Sequence, residues 1–464
     1  MALLARFVSC LAALLVSAAA AQELPAAIDA ALVRSKLPRD AVTFLVTEAG
    51  SPTAPRLSHR TGVPVNPASV AKLATTFAAL EQLGPAYSWV TPVYVDGPVV
   101  GGTLQGNLYL RGQGDPKMVV ERLWLLMRRV QGLGIRQIAG DIVLDHSAFE
   151  NVAQDPGAFD GEPLRPYNAA PDALLLNFKS VVMTFTPGSG QATLQVEPPL
   201  AGLKAPVSVP LVAGECGDWR AGLKADFSDP FQLRFAGGFP GACGERSWPI
   251  AYADPGSYAS RAVAGLWLEL GGRLGGRVRD GKVPAGLAPA FEVQSPSLAE
   301  VVRDINKFSN NVMAQQLFLT LSLQQKGVGS LAGSREVLQA WWRQRIGADA
   351  PAFDNGSGLS REVRFSAQQL GRLLQLAWAS PLMPELVASL PIAGTDGTLR
   401  RSRAASTGLA HLKTGSLRDV SAVAGYVHAA SGKRYILVAI ANHPNAAGMR
   451  PVIDALIDWT ARDL

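Results

Sequence analysis

The middle of this chain differs in character from the two parts that flank it. From about Tyr87 the sequence consists of short apolar runs separated by Gly and Pro, and regular helical spacing of apolar residues returns only after Ser295. Short runs bounded by turn residues are typical of β-strands. A chain of 464 residues also exceeds what one ordinary core accommodates. We therefore predict that residues 86–285 form an inserted, mostly β region, which we expect to comprise two subdomains.

The composition is that of a globular protein. Hydrophobic residues make up 48% of the chain and charged residues 17%, whereas disordered chains are poorer in apolar residues. The formal net charge of +6 is spread along the sequence without a block of Lys and Arg. Nucleic-acid binding is therefore not expected, and the positive charge suits the anionic polymers of a cell envelope.

The N-terminus has the features of a secretory signal peptide, residues 1–21. Arg6 supplies the positive charge, an apolar stretch follows, and small residues at 18–21 offer cleavage sites. Cys10 lies inside the apolar stretch, so a lipoprotein anchor is not expected. No later stretch approaches the roughly 20 apolar residues that span a bilayer. We predict a periplasmic protein with at most peripheral membrane association, whose C-terminal helix, 448–464, packs on its own sheet.

Removal of the signal peptide leaves two cysteines, Cys216 and Cys243, in the same region of the chain. In an oxidising compartment they are a candidate disulfide, and two buried free thiols are the alternative. Two cysteines and five scattered histidines do not give the spacing of a metal site. We therefore predict neither a metal ion nor a cofactor.

The sequence NPASVAKL, which begins at Asn66, predicts a helix start that carries a reactive pair. Pro67 fits the entry of a helix, Asn66 is a candidate N-cap, and apolar residues then recur at helical spacing. Ser69 and Lys72 are three residues apart and lie on one face. Serine becomes a nucleophile when a base removes its proton, and a lysine whose pKa is lowered by burial and by the helix dipole can be that base. The alternative is an ordinary exposed helix face.

A second motif places two more polar side chains at a helix start. Ser309 and Asn311 lie two residues apart across a turn that precedes an apolar helix, so a hydroxyl and a carboxamide can face one cleft. The hydroxyl can pass a proton to a leaving amine, and the carboxamide can bind a substrate amide. The alternative is simple capping of the helix by Ser309 or Asn310.

The third motif, Lys413-Thr414-Gly415-Ser416, lies on a predicted strand. Lys413 and Thr414 together can hold a substrate carboxylate, and Gly415 lets a ligand approach the backbone closely. The backbone N–H groups of Ser416 and Ser69 can then form an oxyanion hole. The alternative is a solvent-exposed strand edge.

In the order Ser-x-x-Lys, Ser-x-Asn, Lys-Thr-Gly, the three motifs match the active-site set of penicillin-binding proteins and serine β-lactamases. More narrowly, the chain resembles the low-molecular-mass class C penicillin-binding proteins, the D-alanyl-D-alanine carboxypeptidase/endopeptidases. The 240 residues that separate Ser69 from Ser309 leave room for the large insertion of that family. Three further segments resemble its signatures: GNLYLRGQGDP at 106–116, DNGSGLSR at 354–361 and LPIAGTDGTL at 390–399.

The resemblance implies an α+β fold. A transpeptidase-like domain, residues 22–85 plus 286–464, would combine an antiparallel sheet with flanking helices and be split by the insertion. Catalysis would proceed through an acyl-enzyme on Ser69, with Lys72 as the base and with Ser309 and Lys413 delivering a proton to the leaving amine. The expected substrates are peptidoglycan stem peptides and their cross-links, and β-lactams would acylate the same serine.

Two residues outside the motifs are candidates for substrate binding. Arg361 follows a glycine-rich loop and can pair with a substrate carboxylate, and a structural salt bridge is the alternative. Asp145, at the end of a predicted strand, can receive the free amine of a stem peptide, and a turn-capping aspartate is the alternative. His411, two residues before Lys413, departs from the family pattern, as does Val70 after the serine.

Two other functions stay open at the level of sequence. A serine β-lactamase shares the fold and the motifs, although the insertion argues against it. An exported cell-wall binding protein that keeps the motifs without turnover belongs to a different class, and the presence of every motif residue argues against that reading. Carboxypeptidase and endopeptidase activities are both compatible with the motifs.

Overall fold

The computed structural model describes residues 23–51, 53–150 and 154–463, so the predicted signal peptide with Cys10 lies outside the described residues. The α-helices of the described chain are α1 (Ala26–Arg34), α2 (Lys72–Leu83), α3 (Val120–Gly132), α4 (Trp219–Gly222), α5 (Tyr258–Glu269), α6 (Leu298–Phe308), α7 (Asn311–Lys326), α8 (Leu331–Arg345), α9 (Ala367–Ala379), α10 (Met383–Ser389) and α11 (Arg450–Ala461). The strands are β1 (Val42–Glu48), β2 (Leu57–His59), β3 (Val90–Val95), β4 (Val99–Val100), β5 (Thr103–Leu104), β6 (Leu108–Arg111), β7 (Gln137–Ile138), β8 (Ile142–Asp145), β9 (Ser180–Pro187), β10 (Gln191–Glu197), β11 (Ser208–Val212), β12 (Ala225–Asp226), β13 (Arg234–Phe235), β14 (Phe239–Pro240), β15 (Arg246–Ala251), β16 (Arg273–Leu274), β17 (Val278–Asp280), β18 (Phe291–Gln294), β19 (Ala410–Leu417), β20 (Val420–His428) and β21 (Arg434–Asn442).

The first and last parts of the chain together build one antiparallel sheet in the order β19-β20-β21-β1-β2. β1 lies between β21 and β2, and Val46 of β1 pairs with Leu437 of β21. Side chains alternate across the sheet, because Phe44 and Val46 enter one core whereas Leu45 enters the other. The sheet is therefore buried on both faces and needs a helical layer on each side.

Helices supply both layers. On one face α1 and α11 pack through residues such as Ile28 and Val452. On the other face α2, α8 and α9 pack through residues such as Phe77 and Leu370. The predicted α+β class is thus confirmed, and the C-terminal helix packs on the sheet as predicted. Across the described residues, we find no helix with the length and apolar character that a membrane span requires.

The chain between α2 and α6 forms further sheets. One group combines the sheets β17-β8-β6-β3-β18 and β16-β7-β5-β4 with α3 and α5, and a second group, β14-β11-β10-β9-β15 with β12-β13, lies within residues 180–251. Because β18 pairs with β3, we propose that the inserted region continues to residue 294, beyond the predicted boundary at 285. The helix α5 is absent from the predicted elements, since it follows a segment rich in Gly and Pro that favours turns.

Cys216 and Cys243 form the predicted disulfide, which joins positions 27 residues apart in the second group of sheets. Closing a loop of this length lowers the entropy of the unfolded chain and contributes about 3 kcal/mol. We expect the double variant Cys216→Ser/Cys243→Ser to lower the free energy of unfolding of this subdomain by about that amount. Urea titration followed by the fluorescence of Trp219 and Trp248 measures it, and an unchanged midpoint would contradict the prediction.

Candidate active site

Ser69 lies in a short 3-10 turn, Ala68–Ala71, that leads directly into α2. Asn66 begins this turn, because its Oδ1 accepts a hydrogen bond from the N–H of Ala68 at 2.8 Å. The backbone of Asn66 is in turn held by Asn442, at the end of β21, through two hydrogen bonds of 2.9 Å. The side chain of Ser69 is half-buried, whereas the flanking Ala68 and Val70 are fully buried. The sheet therefore fixes the position of the serine.

Lys72 is the residue that contacts the Ser69 hydroxyl. Its Nζ lies 2.8 Å from Ser69 Oγ, 2.7 Å from Asn311 Oδ1 and 2.5 Å from the carbonyl oxygen of Ser357. The side chain is 0% exposed. Burial and, secondarily, the charge of Lys413 hold the pKa of Lys72 well below its ordinary value. A lysine with these surroundings is suited to act as a neutral base.

The second motif lies at the junction of α6 and α7. Ser309 has a left-handed backbone conformation, with φ of 57°, which ends α6 and turns the chain sharply. Asn310 caps α7, since its Oδ1 accepts a hydrogen bond from the N–H of Met313 at 3.0 Å. The capping role considered from the sequence therefore belongs to Asn310. Ser309 and Asn311 are left to face the cleft, where they contact the two lysines.

Lys413 projects from β19 into the same cleft. Its Nζ donates hydrogen bonds to Ser309 Oγ at 2.8 Å and to the carbonyl oxygen of Thr414 at 2.7 Å. The side chain is 0% exposed, and this burial lowers the pKa of Lys413 from 10.5 to about 7. The predicted catalytic set of Ser69, Lys72, Ser309, Asn311 and Lys413 is thus brought together by hydrogen bonds.

The lowered pKa of Lys413 predicts a pH-dependent stability. The unfolded chain keeps the proton up to the ordinary pKa of 10.5, whereas the folded chain releases it above about pH 7. Over that range the unfolded state binds more protons, so the free energy of unfolding rises with pH, by at most about 1.4 kcal/mol per pH unit. We expect the stability of the parent minus that of Lys413→Met to increase from about pH 7 to about pH 9 in urea titrations. A difference that stays constant with pH would contradict the lowered pKa.

Two glycines allow the backbone of three segments to meet at the serine. A Cβ on Gly415 would lie 2.5 Å from the carbonyl oxygen of Pro67 and 3.1 Å from the nitrogen of Ser69. A Cβ on Gly358, where φ is +75°, would lie 2.1 Å from the carbonyl oxygen of Ala68. Neither position accepts a side chain without displacement of the nucleophile. This places the N–H groups of Ser69 and Ser416 on neighbouring segments, as an oxyanion hole requires.

β19 is the edge strand of the sheet, and its outer side is only partly covered. The segment 391–393 covers the first half, because Leu412 donates to the carbonyl of Pro391 and Ala393 donates to the carbonyl of Ala410, both at 2.9 Å. From Lys413 onward the described residues place no further strand on that side. This stretch of edge is therefore available to an extended ligand.

The surroundings of β19 include contacts that the sequence does not predict. Thr398 Oγ1 lies 2.6 Å from Thr414 Oγ1. In the same segment, Asp396 forms an ion pair of 2.5 Å with Lys307, a buried residue two positions before Ser309. Burial lowers the pKa of His411, and its ring lies 5.3 Å from that of His428. The signature at 390–399 pointed to this loop but not to its contacts.

The inserted region also contributes to the cleft. Asn311 Nδ2 lies 3.4 Å from the carbonyl oxygen of Tyr167, which it contacts as a donor. The guanidinium of Arg361 lies 4.8 Å from the centre of the Phe159 ring. Arg361 is exposed at this rim, where it can meet a ligand. The sequence does not single out Tyr167 or Phe159. Tyr167 makes its contact through a backbone carbonyl, and Phe159 is an isolated aromatic residue outside the motifs.

Asp145 has contacts of a different kind. It is 2% exposed, and its two carboxylate oxygens accept hydrogen bonds from the N–H groups of Ser147 at 2.9 Å and Val283 at 3.0 Å. These bonds within the inserted region match the turn-capping alternative. A role for Asp145 in binding a substrate amine stays a prediction.

The fold and the three motifs together define a serine hydrolase of the penicillin-binding type. The model of the D-Ala-D-Ala carboxypeptidase 3 (S13) family matches residues 24–463. The chain therefore belongs to that family, as the motifs predict, and is a serine-type D-Ala-D-Ala carboxypeptidase.

Individual relatives agree with this assignment. A D-alanyl-D-alanine carboxypeptidase from an Actinomadura species is 28% identical over 390 residues, which cover 79% of this chain and 71% of that protein. The structure of penicillin binding protein 4 (DacB) from Haemophilus influenzae superposes with a TM-score of 0.73 at 21% identity, covering 93% of this chain and 99% of that one. A complex of the same Haemophilus protein with a β-lactam superposes with a TM-score of 0.69 at 20% identity and the same coverage. The two structures establish a shared fold.

Proposed function

We propose that Ser69 is the nucleophile of a D-alanyl-D-alanine carboxypeptidase/endopeptidase and that Lys72 activates it. The observation that carries this proposal is the 2.8 Å contact between Lys72 Nζ and Ser69 Oγ, made by a lysine without exposed surface. Burial and the nearby charge of Lys413 favour the neutral amine. The neutral amine has a lone pair that can accept the proton of the serine.

In the proposed acylation step, Ser69 Oγ attacks the carbonyl carbon of the bond between two D-alanines, or between D-alanine and the diamino acid of a cross-link. The proton of Ser69 passes to Lys72 Nζ, and the oxyanion of the tetrahedral intermediate accepts hydrogen bonds from the N–H groups of Ser69 and Ser416. The C–N bond then breaks, and Ser309, in contact with Lys413, relays a proton to the leaving amine. Water finally hydrolyses the ester on Ser69 and regenerates the serine.

The free part of β19 supports peptidoglycan stem peptides as substrates. An extended peptide can add to this edge as a further strand, so that its scissile bond meets Ser69. A terminal carboxylate would then lie near Lys413 and the Thr414 hydroxyl, with Arg361 as a further candidate at the rim. β-Lactams also present a reactive carbonyl and a carboxylate, so we expect them to acylate Ser69. The predicted signal peptide supports a periplasmic location with at most peripheral membrane association.

Contacts from the inserted region favour a peptidase over a β-lactamase. Tyr167 and Phe159 of the inserted region contact Asn311 and Arg361 of the catalytic domain. They add surface to the cleft that is not required for binding a small drug molecule. A long peptide substrate, in contrast, has groups for such a surface to contact. Rapid turnover of a chromogenic cephalosporin would favour the β-lactamase instead.

Penicillin acylation tests the proposed function directly. We expect the purified protein to gain the mass of one benzylpenicillin, with the adduct mapped by tandem mass spectrometry to the peptide that contains Ser69. We also expect it to release D-alanine from a blocked tripeptide that ends in D-Ala-D-Ala. A folded protein that gains no adduct and releases no D-alanine would contradict the proposal and favour a non-catalytic cell-wall binding protein.

A further inference from the structure

A large cleft lies on the side of Tyr167 that faces the second group of inserted sheets. Its volume is about 770 Å³, which is within the range of clefts that bind small ligands. One wall is formed by the segment that contains Arg165 and Tyr167, and the other by α4 and the residues after it. Trp248, on β15, lines the cleft together with Phe227.

The cleft is adjacent to the catalytic site. Tyr167 lines it, and the carbonyl oxygen of the same residue contacts Asn311, which holds Lys72. The wall is anchored on the other side as well, because the N–H of Ala251 on β15 donates to the carbonyl of Leu164 at 2.9 Å. The segment that contains Tyr167 therefore contacts the catalytic site and also forms a wall of the cleft.

Two cations line the cleft without carboxylate partners. Arg220 and Lys224 form no ion pair with any other described residue, and neither side chain makes a hydrogen bond there. The guanidinium of Arg220 lies 5.3 Å from the ring centre of Trp219 and 5.6 Å from that of Trp248. Contact with two aromatic rings restricts the guanidinium while leaving its N–H groups free, which lowers the entropic cost of binding a carboxylate.

The acidic residues of the cleft are engaged by the protein itself. Asp218 caps α4, since its Oδ1 accepts a hydrogen bond from the N–H of Ala221 at 3.2 Å. Glu162 lies 3.4 Å from the guanidinium of Arg165 in an ion pair. The lining thus holds three cations and two carboxylates, a net charge of +1, and Arg220 and Lys224 are the two cations that no carboxylate of the described chain contacts. The cleft is suited to a ligand that carries carboxylates and some apolar surface.

We propose that this cleft binds the second stem peptide of a cross-linked peptidoglycan substrate, the one that continues from the leaving amine. The proposal rests on the proposed function, because that function supplies a substrate with two peptide arms. One arm is acylated onto Ser69, and the other leads away from the scissile bond. Stem peptides carry free carboxylates, which Arg220 and Lys224 would bind, while Trp248 and Phe227 would cover the aliphatic parts. The cleft would thus favour cross-linked substrates over single stems.

The double variant Arg220→Gln/Lys224→Gln tests this inference in the full mature chain. We expect the ratio of kcat/KM for a cross-linked muropeptide dimer to kcat/KM for a blocked tripeptide ending in D-Ala-D-Ala to fall about tenfold, because two charge-assisted contacts are lost. Lys224→Glu alone, at an exposed position, is expected to change the ratio in the same direction. A ratio that stays at the parent value in both variants would overturn the inference.

The control variant Lys204→Gln/Arg246→Gln removes two exposed cations of the same subdomain that do not line the cleft. We expect this control to keep the parent ratio, and an equal fall in the control would overturn the inference by showing a general charge effect.

Binding of the dimer to Ser69→Ala gives a readout without turnover, and we expect about tenfold weaker binding when Arg220→Gln/Lys224→Gln is added. Glycan strands stripped of peptides should not compete, and competition equal to that of the dimer would overturn the peptide assignment in favour of sugar. A parent protein that gains no penicillin adduct would instead contradict the proposed function, so the two failures are distinguishable.

Discussion

Ser69→Ala is expected to abolish the penicillin adduct and to lower the release of D-alanine by about 10⁵- to 10⁶-fold. Among the described residues, Lys72 Nζ contacts a single hydroxyl, that of Ser69, and its other two contacts are Asn311 Oδ1 and the carbonyl of Ser357. The variant therefore leaves the base without a nucleophile to activate. Intact mass after incubation with benzylpenicillin measures the first effect, and chromatography of released D-alanine measures the second.

Ser309→Ala is the matched comparison, because Ser309 contacts Lys413 instead of Lys72. We expect this variant to be acylated about 100- to 1000-fold more slowly, as for loss of a proton-transferring group, and still to accumulate the adduct on long incubation. Thermal melting would show that both variants are folded. An adduct on Ser69→Ala, together with its loss in Ser309→Ala, would reverse the assignment of the nucleophile.

Lys72→Met is expected to slow acylation by about 10³- to 10⁴-fold. Methionine fits the buried site of Lys72 in size but has no amine to accept the serine proton. The acylation rate of the parent should rise with pH as Lys72 loses its proton, because burial and Lys413 hold its pKa well below the ordinary value. That rise should be absent from the variant. Stopped-flow measurement of acylation with a chromogenic β-lactam across a pH series provides both readouts.

Lys72→Arg separates charge from basicity. Arginine keeps the positive charge but does not lose its proton in proteins. We therefore expect Lys72→Arg to be acylated as slowly as Lys72→Met. Lys72→Ala should regain part of the rate when small primary amines are added, since they can occupy the vacated space beside Ser69. Normal acylation by Lys72→Arg would show that Lys72 acts through its charge and not as the base.

The contact between Ser69 and Lys72 could be predicted from local spacing, whereas the contacts of Asn311 with Lys72 and of Ser309 with Lys413 join distant residues, whose meeting in one site was implied by the family resemblance. Ser69 and Lys72 share a turn, and Ser309 and Asn311 flank a single capping residue, so each pair is set by a few backbone angles. The contacts of Tyr167, Asn442 and Ser357 could not be predicted, since they use carbonyl groups or amides of residues distant in sequence. A backbone carbonyl occurs in every residue, and the single carboxamide of Asn442 belongs to no motif, so these contacts leave no pattern in the sequence.

The elements of the fold also divide into those that could be predicted from the sequence and those that could not. β1, β20 and β21 contain seven to nine residues and are buried on both faces, so each is recognisable in the sequence as a long, mostly apolar run. Several strands of the inserted region, such as β4 and β12, contain only two residues. A period of two cannot be recognised in two residues, so the order and boundaries of these sheets are decided by tertiary contacts. The insertion itself is visible as a change in composition and as the 240 residues that separate Ser69 from Ser309.

The position of β1 in the catalytic sheet has a consequence for biogenesis. Val46 pairs with Leu437, which is 391 residues later, so β1 is among the first elements to be synthesised and its pairing with β21 is among the last to form. Until β21 emerges, the short strand β2 is the one partner of β1 in the native sheet, whereas the inserted sheets can assemble from residues that are already available. Closing so long a loop is slow, and an apolar strand with an unpaired edge is prone to aggregate. We therefore expect the N-terminal segment to be the part of the chain most exposed to aggregation until β21 is available.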